Sequence, residues 1–323
     1  MSPRAYIVGL VLAVASQMAN AAPIAYAEAV APSAYTGSGG QASLYSIDLA
    51  TRTATLVGPS VANPNGLVNT LFPFNMRGLS FDPAGQLYAV SEDLKVLVKI
   101  NKVNGAATLV GPLNLAGPGV ANASALDLSM AIACDGKAWL ASGTTGNFWS
   151  VNLSTGATAL LGSLGNNPIT GLAAQGTTVF ATGSQTNQKL FTVNTATGAT
   201  TVVGAYGGTD GSVHTISPAF DATGQFLAIL NDIPPPSLPA ETWSNLATIS
   251  QAGTLSKIGT ITGPSTLQKV GLTGLAIAPP VCSALADPPE TLAAPALSWY
   301  GLLGLILTLM AAAILPLRSQ RRG

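Results

Sequence analysis

The chain has 323 residues, 8% of them charged, with 13 Lys and Arg balanced by 13 Asp and Glu. Ordinary soluble domains carry about 25% charged residues, so this surface is built from hydroxyl-bearing and small side chains. A formal net charge of zero leaves no basic footprint for a phosphate backbone, and nucleic-acid binding is excluded on that ground.

The first predicted element is an export signal over residues 1–21. Arg4 supplies the positive start, Ala5 to Ala15 a short apolar stretch, and Ala19-Asn20-Ala21 a small-x-small cleavage site ahead of Ala22. The apolar stretch is well short of the roughly 20 residues that span a bilayer. Secretion machinery and a signal peptidase are the partners this element implies.

Residues 22–280 form a repeat-built body. The pattern Leu44-Tyr45-Ser46-Ile47-Asp48, Thr51-Arg52, Thr55-Leu56-Val57-Gly58 returns as Leu97 to Asn101, Asn104-Gly105, Thr108 to Gly111. It returns again from Phe148 to Gly162, from Leu190 to Gly204 and, one residue shorter, from Leu246 to Gly259. Each copy reads as a hairpin, with a first arm alternating apolar and polar residues at the period of a strand. Asp48, Asn101, Asn152 and Asn194 open the turns, where a short acceptor can bond its own backbone two residues on, so these residues need no metal. Gly105, Gly156, Gly198 and Gly253 supply the positive φ that such loops need.

A second hairpin precedes copies two to five, most clearly from Gly78 to Val90, then at Ser129 to Leu140, Gly171 to Phe180 and Pro218 to Leu227. Two hairpins per unit make a four-stranded sheet, and four strands recurring every 40 to 55 residues or so indicate a propeller blade. Gly271 to Pro279 reads as a first strand with nothing after it, and Ile24 to Val30 as a second strand with nothing before it. Joined, they complete one blade and seal the ring's edges. The predicted fold is therefore an all-β β-propeller of five four-stranded blades, or six if residues 59–77 or 232–243 hide strands, plus one C-terminal transmembrane helix. The motif style resembles propeller-type repeats of exported bacterial proteins, a resemblance that implies fold and not activity.

Candidate chemistry is sparse. The chain's one histidine, His214, follows the Gly-rich segment that contains Asp210 and is expected near an inner strand of the fifth unit, where Asp210 could reach it. A catalytic His would need a third group to orient it, and none is identifiable. Asp82, Asp135 and Asp221 occupy related turn positions, so they would either cap turns or ring one mouth. There is no His-Glu-x-x-His, nucleophile elbow, phosphate-binding loop or Cys-x-x-Cys, and no cofactor is expected. Cys134 and Cys282 are the two cysteines. Export permits a bridge, but their blades are not adjacent in a five-blade ring, so bridging requires the tail to cross a face.

A proline-bearing spacer, residues 281–295, leads to an uncharged, Leu-rich run over residues 296–317 that is long enough to cross a bilayer. Trp299 and Tyr300 sit at its outer edge. Arg318, Arg321 and Arg322, within the basic tail 318–323, follow it and should stay cytoplasmic. Pro295, Leu297, Ser298, Tyr300 and Gly301, with the helix and the Arg cluster, resemble the IPTL-type C-terminal sorting signal; Ala294 and Ala296 stand where that family has Ile and Thr. The resemblance covers about the last thirty residues and implies an exosortase-type processing enzyme. The expectation is a membrane-anchored or released surface protein, with a non-catalytic propeller for a glycan or envelope-protein ligand. A lactonase-like hydrolase using His214, and a structural spacer, are the alternatives.

Overall fold

The computed structural model describes residues 23–29, 42–60, 76–123, 125–165, 167–184, 187–206, 213–232, 244–268 and 271–278. Among them no helix is long and apolar enough to cross a membrane. The signal residues Ala19, Ala21 and Ala22, the spacer, the apolar run and the sorting residues lie outside the described residues.

Among the described residues twenty strands form five four-stranded antiparallel sheets. The first blade holds β1 (Ile24–Ala29), β2 (Ser43–Asp48) and β3 (Thr53–Pro59). The second holds β4 (Met76–Phe81), β5 (Leu87–Ser91), β6 (Val96–Ile100) and β7 (Ala107–Pro112); the third, β8 (Leu128–Ile132), β9 (Ala138–Ser142), β10 (Asn147–Val151) and β11 (Thr158–Ser163). In the fourth are β12 (Ile169–Gln175), β13 (Thr178–Gly183), β14 (Lys189–Val193) and β15 (Thr200–Ala205), and in the fifth β16 (Val213–Phe220), β17 (Phe226–Asp232), β18 (Asn245–Ile249) and β19 (Leu255–Thr260). The last strand, β20 (Leu272–Ala278), joins the first blade in the order β20-β1-β2-β3, with Ile24 opposite Ala278 and Ala29 opposite Leu272. The two end fragments therefore close the ring as expected. The described residues make five blades; most of the two stretches proposed to hide a sixth, 61–75 and 233–243, lie outside them.

The core is not one mass but five layers, one between each pair of neighbouring blades. Tyr88, Leu97, Met130 and Trp149 join the second and third blades; Trp139, Phe148, Leu172 and Phe191 join the third and fourth. Ala27, Ile47, Ile229 and Leu246 fill the seam between the fifth and the first. Each sheet is thus covered on both faces, which corrects the simple alternation expected of the first hairpin arm. In β10 both Phe148 and Trp149 are fully buried, one toward each neighbour. Alternating patterns suit a sheet with one wet face, whereas a sheet between two others reads as a nearly continuous apolar run.

The repeated glycine of the outer strand has a specific cause. In every blade the outer hairpin carries one bulge: Leu44 faces Gly58 but Tyr45 faces Leu56, and the same shift recurs before Gly111, Gly162, Gly204 and Gly259. The bulge twists the strand and sets that glycine against the turn of the next blade. A β-carbon on Gly111 would lie 2.1 Å from Thr155 O, and one on Gly162 would lie 1.9 Å from Thr197 O. At the fifth seam the turn residue is Arg52, at φ 59, and its side chain covers Gly259.

The turns behave as their chemistry dictates. Asn152 Oδ1 accepts from Ser154 N at 2.9 Å and Thr155 N at 3.2 Å, and Asp48 Oδ1 accepts from Ala50 N and Thr51 N at 2.8 and 2.9 Å. These bonds to Thr51 and Ala50 hold the Asp48 carboxyl below its ordinary range. Replacing Asn152 with Ala is expected to lower stability by about 1 kcal/mol, read as a loss of about 2–4 °C in thermal midpoint for a body of this size. An unchanged midpoint would show that the turn is held by its glycine alone.

Candidate functional site

The inner strands β20, β4, β8, β12 and β16 surround an axial channel. One half is lined by Arg77, Ser129, Thr170, Thr215 and Thr273 with the backbone around Gly78, Gly171 and Gly274, the other by Phe81, Ile132, Ala174, Phe220 and Ile277. Their internal volumes are about 20 and 40 Å³, room for one or a few waters and no more. Glycines make the bore narrow: a β-carbon on Gly171 would meet Pro218 Cδ at 2.2 Å and Ile216 O at 2.3 Å. Among the described residues the channel is narrow and lined largely by close-packed backbone and small side chains.

At the mouth where the inner strands begin, Arg77 of β4 pairs with Glu92, Nε to Oε2, at 2.8 Å and reaches Asp127 Oδ1 at 3.4 Å. The other Glu92 oxygen accepts from the backbone N–H groups of Leu126 and Asp127 at the entry to β8. Glu92 is 5% exposed and Arg77 23%, so this network fastens the second blade to the third. Arg77 is the charged residue of the channel lining, and two carboxylates already neutralise it. Replacing Glu92 with Leu would leave Arg77 only the longer contact to Asp127 and would remove the acceptor of the Leu126 and Asp127 N–H groups. The expected cost is about 3 kcal/mol, reduced by whatever solvent reaches Arg77, and chemical denaturation measures it.

His214 lies at the same mouth, one residue into β16, and is exposed. It is the bulged residue between Val213, opposite Asp232, and Thr215, opposite Asn231. Asp210 lies outside the described residues. Next to His214 in sequence, Thr215 belongs to a polar chain: Asn231 Nδ2 donates to Thr215 Oγ1 and Leu272 O, and Ser244 Oγ donates to Asn231 Oδ1 at 2.6 Å. That chain ties the fifth blade to β20.

The turn aspartates do not form a ring. Asp82 and Asp221 are equivalent, each accepting at Oδ1 from the backbone N–H four residues on, at Gln86 and Gln225. Asp135 sits two positions later in its own turn and holds Lys137, so the expectation that all three match is corrected. Among the described residues no three His, Cys, Asp or Glu side chains gather as a metal site. Cys134 follows β8, donates its N–H to Gly176 O and is disulfide-bonded. Cys282, the chain's other cysteine, lies outside the described residues. β8 and β20 end at the same mouth of the channel, and β20 stops four residues before Cys282 in sequence.

A groove of about 670 Å³ opens between the fourth and fifth blades, on the face of the hairpin turns. Its floor holds Leu190, Ile249 and three phenyl rings. Phe220 and Phe226 stack at 4.0 Å and 6°, and Phe180 tilts against them at 5.5 and 5.7 Å. Its rim carries Gln175, Gln225, Gln251, Thr192, Thr254 and Ser256, and no lining residue is ionisable. Sequence reading missed both this groove and the Arg77 network. The aligned hairpins do contain Phe180, Phe220 and Phe226, but only the pairing of blades brings the three rings together.

No protein-family model and no curated protein matches the chain. Solved structures similar to it include the nidogen/laminin complex, at 12% identity and TM-score 0.46, covering 79% of this chain and 98% of that one. Virginiamycin B lyase from Staphylococcus aureus is similar at 12% identity and TM-score 0.37, with 59% of this chain and 57% of that one covered. Regucalcin from Agrobacterium tumefaciens is similar at 16% identity and TM-score 0.38, over 76% and 75% of the two chains. Likeness at this level concerns the arrangement of strands and transfers no activity.

Proposed function

We propose that the chain is an exported surface or matrix protein whose propeller binds a ligand without catalysing a reaction, and whose C-terminal tail retains it at the membrane until processing. The observation that carries the binding reading is the roomy groove between the fourth and fifth blades, lined by aromatic, aliphatic and uncharged polar residues. Export is supported by the Arg4, apolar and Ala19-Asn20-Ala21 sequence, and anchoring by the 296–317 run with its arginines. A bilayer-spanning run ending in a basic cluster keeps the propeller outside, where a protein of low charge and many hydroxyls meets glycans and envelope proteins.

The test is the intact mass and the terminal peptides of the native protein in membrane and extracellular fractions. A species beginning at Ala22 and ending near Pro295 in the extracellular fraction is the expected result. A cytosolic species that keeps Met1 would overturn the export reading, and a membrane species that keeps Arg322 would overturn processing while leaving the anchor.

A second reading, an extracytoplasmic hydrolase, is favoured by one observation: His214 is exposed at the mouth that also carries Arg77, Glu92 and Asp127. Lactone and ester turnover abolished by His214→Ala would establish it. On the binding reading no such turnover appears.

A further inference from the structure

We propose that the groove between the fourth and fifth blades binds a neutral carbohydrate, with one sugar ring laid against Phe180 and its hydroxyl groups met by Gln225, Gln251 and Ser256. This rests on the binding reading above and gives it a site and a ligand class.

Size admits the ligand first: about 670 Å³ lies within the roughly 300–1,000 Å³ of small-molecule sites. Chemistry then narrows the class from both sides. No Asp, Glu, Lys, Arg or His lines the groove, so a charged ligand would lose hydration against no opposite charge, which is strongly unfavourable. A purely apolar ligand would desolvate the side-chain amides of Gln175, Gln225 and Gln251 and the hydroxyls of Thr192 and Ser256 without replacing their hydrogen bonds. A sugar satisfies both constraints. Its C–H face suits a phenyl wall, and each hydroxyl donates and accepts, as each amide side chain does.

The groove is also set up for recognition in a way its counterparts are not. The stacked pair Phe220–Phe226 is 7–8% exposed and forms a fixed wall, while Phe180 is only partly covered and offers its ring. Gln225 is fastened through its backbone, N to Asp221 Oδ1 and O from Asp221 N, which leaves its exposed amide for a ligand. In the equivalent turn of the second blade the amide of Gln86 is committed to Leu87 O and Ile100 O, and in the third blade the position is Lys137, paired with Asp135. At Phe226 those blades have Leu87 and Ala138. The aromatic wall and the uncommitted amide therefore coincide at this seam.

The test uses the full-length chain in a zwitterionic detergent that carries no sugar, titrated calorimetrically with chitotetraose, cellotetraose, mannotetraose and isomaltotetraose. Tetragalacturonate and 2-naphthol serve as charged and apolar comparators. Binding of at least one neutral tetrasaccharide is expected, weakened about tenfold by Phe180→Ala and about threefold by Gln225→Ala and by Gln251→Ala. The two glutamines are exposed, so their variants keep the test decisive if Phe180→Ala fails to fold. Preference for tetragalacturonate or 2-naphthol overturns the ligand class, and no binding of any tetrasaccharide overturns the proposal. Binding that all three variants leave unchanged overturns the groove assignment while the surface-binding reading stands.

Discussion

Gly162→Ala is expected to destabilise the propeller by about 3 kcal/mol, a loss of about 10 °C in thermal midpoint for a body of this size. The new β-carbon would stand 1.9 Å from Thr197 O and 2.9 Å from Thr197 C, backbone atoms of the neighbouring blade that cannot rotate away. Gly162 has no left-handed φ, so the cost is purely steric. Gly136→Ala is the informative comparison. Gly136 has φ 78 and open space around its missing β-carbon, so alanine there meets only the left-handed backbone penalty of about 1 kcal/mol. Equal losses in the two variants would mean that the blade seams relax freely, and the interlocking role given to the bulge glycines would be wrong.

Glu28→Gln is expected to leave stability unchanged near pH 4 and to raise it in alkaline solution. Glu28 lies on β1, the strand that closes the ring, with no exposed surface. Ser60 Oγ donates to its Oε1 at 2.7 Å, and among the described residues Oε2 has no partner. Its cross-strand neighbours, Leu44 and Thr273, bring no charge. Burial therefore pushes the carboxyl up to about 8, opposed only in part by the Ser60 hydrogen bond. The folded state holds this proton more tightly than the unfolded chain does. The stabilising contribution is thus complete below the unfolded value near 4.5, shrinks as pH rises above it, and is lost once pH passes about 8. A displacement of that size corresponds to roughly 5 kcal/mol as an upper bound. Denaturation midpoints of the native and Gln proteins, compared at pH 5 and pH 9, read it directly; parallel pH profiles would show that a charged Glu28 is accommodated.

The two variants probe different parts of one device, a ring held by seams and closed by its own ends. The closing blade is assembled from strands more than 240 residues apart in sequence: Thr273 Oγ1 donates to Glu28 O at 3.3 Å and also lies within reach of Met76 O at 3.2 Å. A weakened closure therefore loosens the first blade and its contact with the second together.

How much of this was legible in the sequence follows from which interactions are local. The hairpins, their Asx-opened turns and the glycines that end them are set within a dozen residues, so the repeat and its five copies could be read directly, and the orphan strands at 24–30 and 271–279 implied closure. Turn chemistry likewise accounted for Asp48 and Asn152 without a metal. Tertiary structure decided the rest, because blades meet face to face and residues at one seam come from different units of the repeat. Only there does Gly58 or Gly111 become a contact point instead of a strand residue, Glu92 find Arg77 and Asp127, or Phe180 join Phe220 and Phe226 over an uncharged groove. Glu28 belongs to the orphan strand 24–30, and ring closure buries it. A repeating sequence specifies the unit through local backbone chemistry, whereas the differences between units, on which binding depends, acquire meaning only once neighbouring blades are packed.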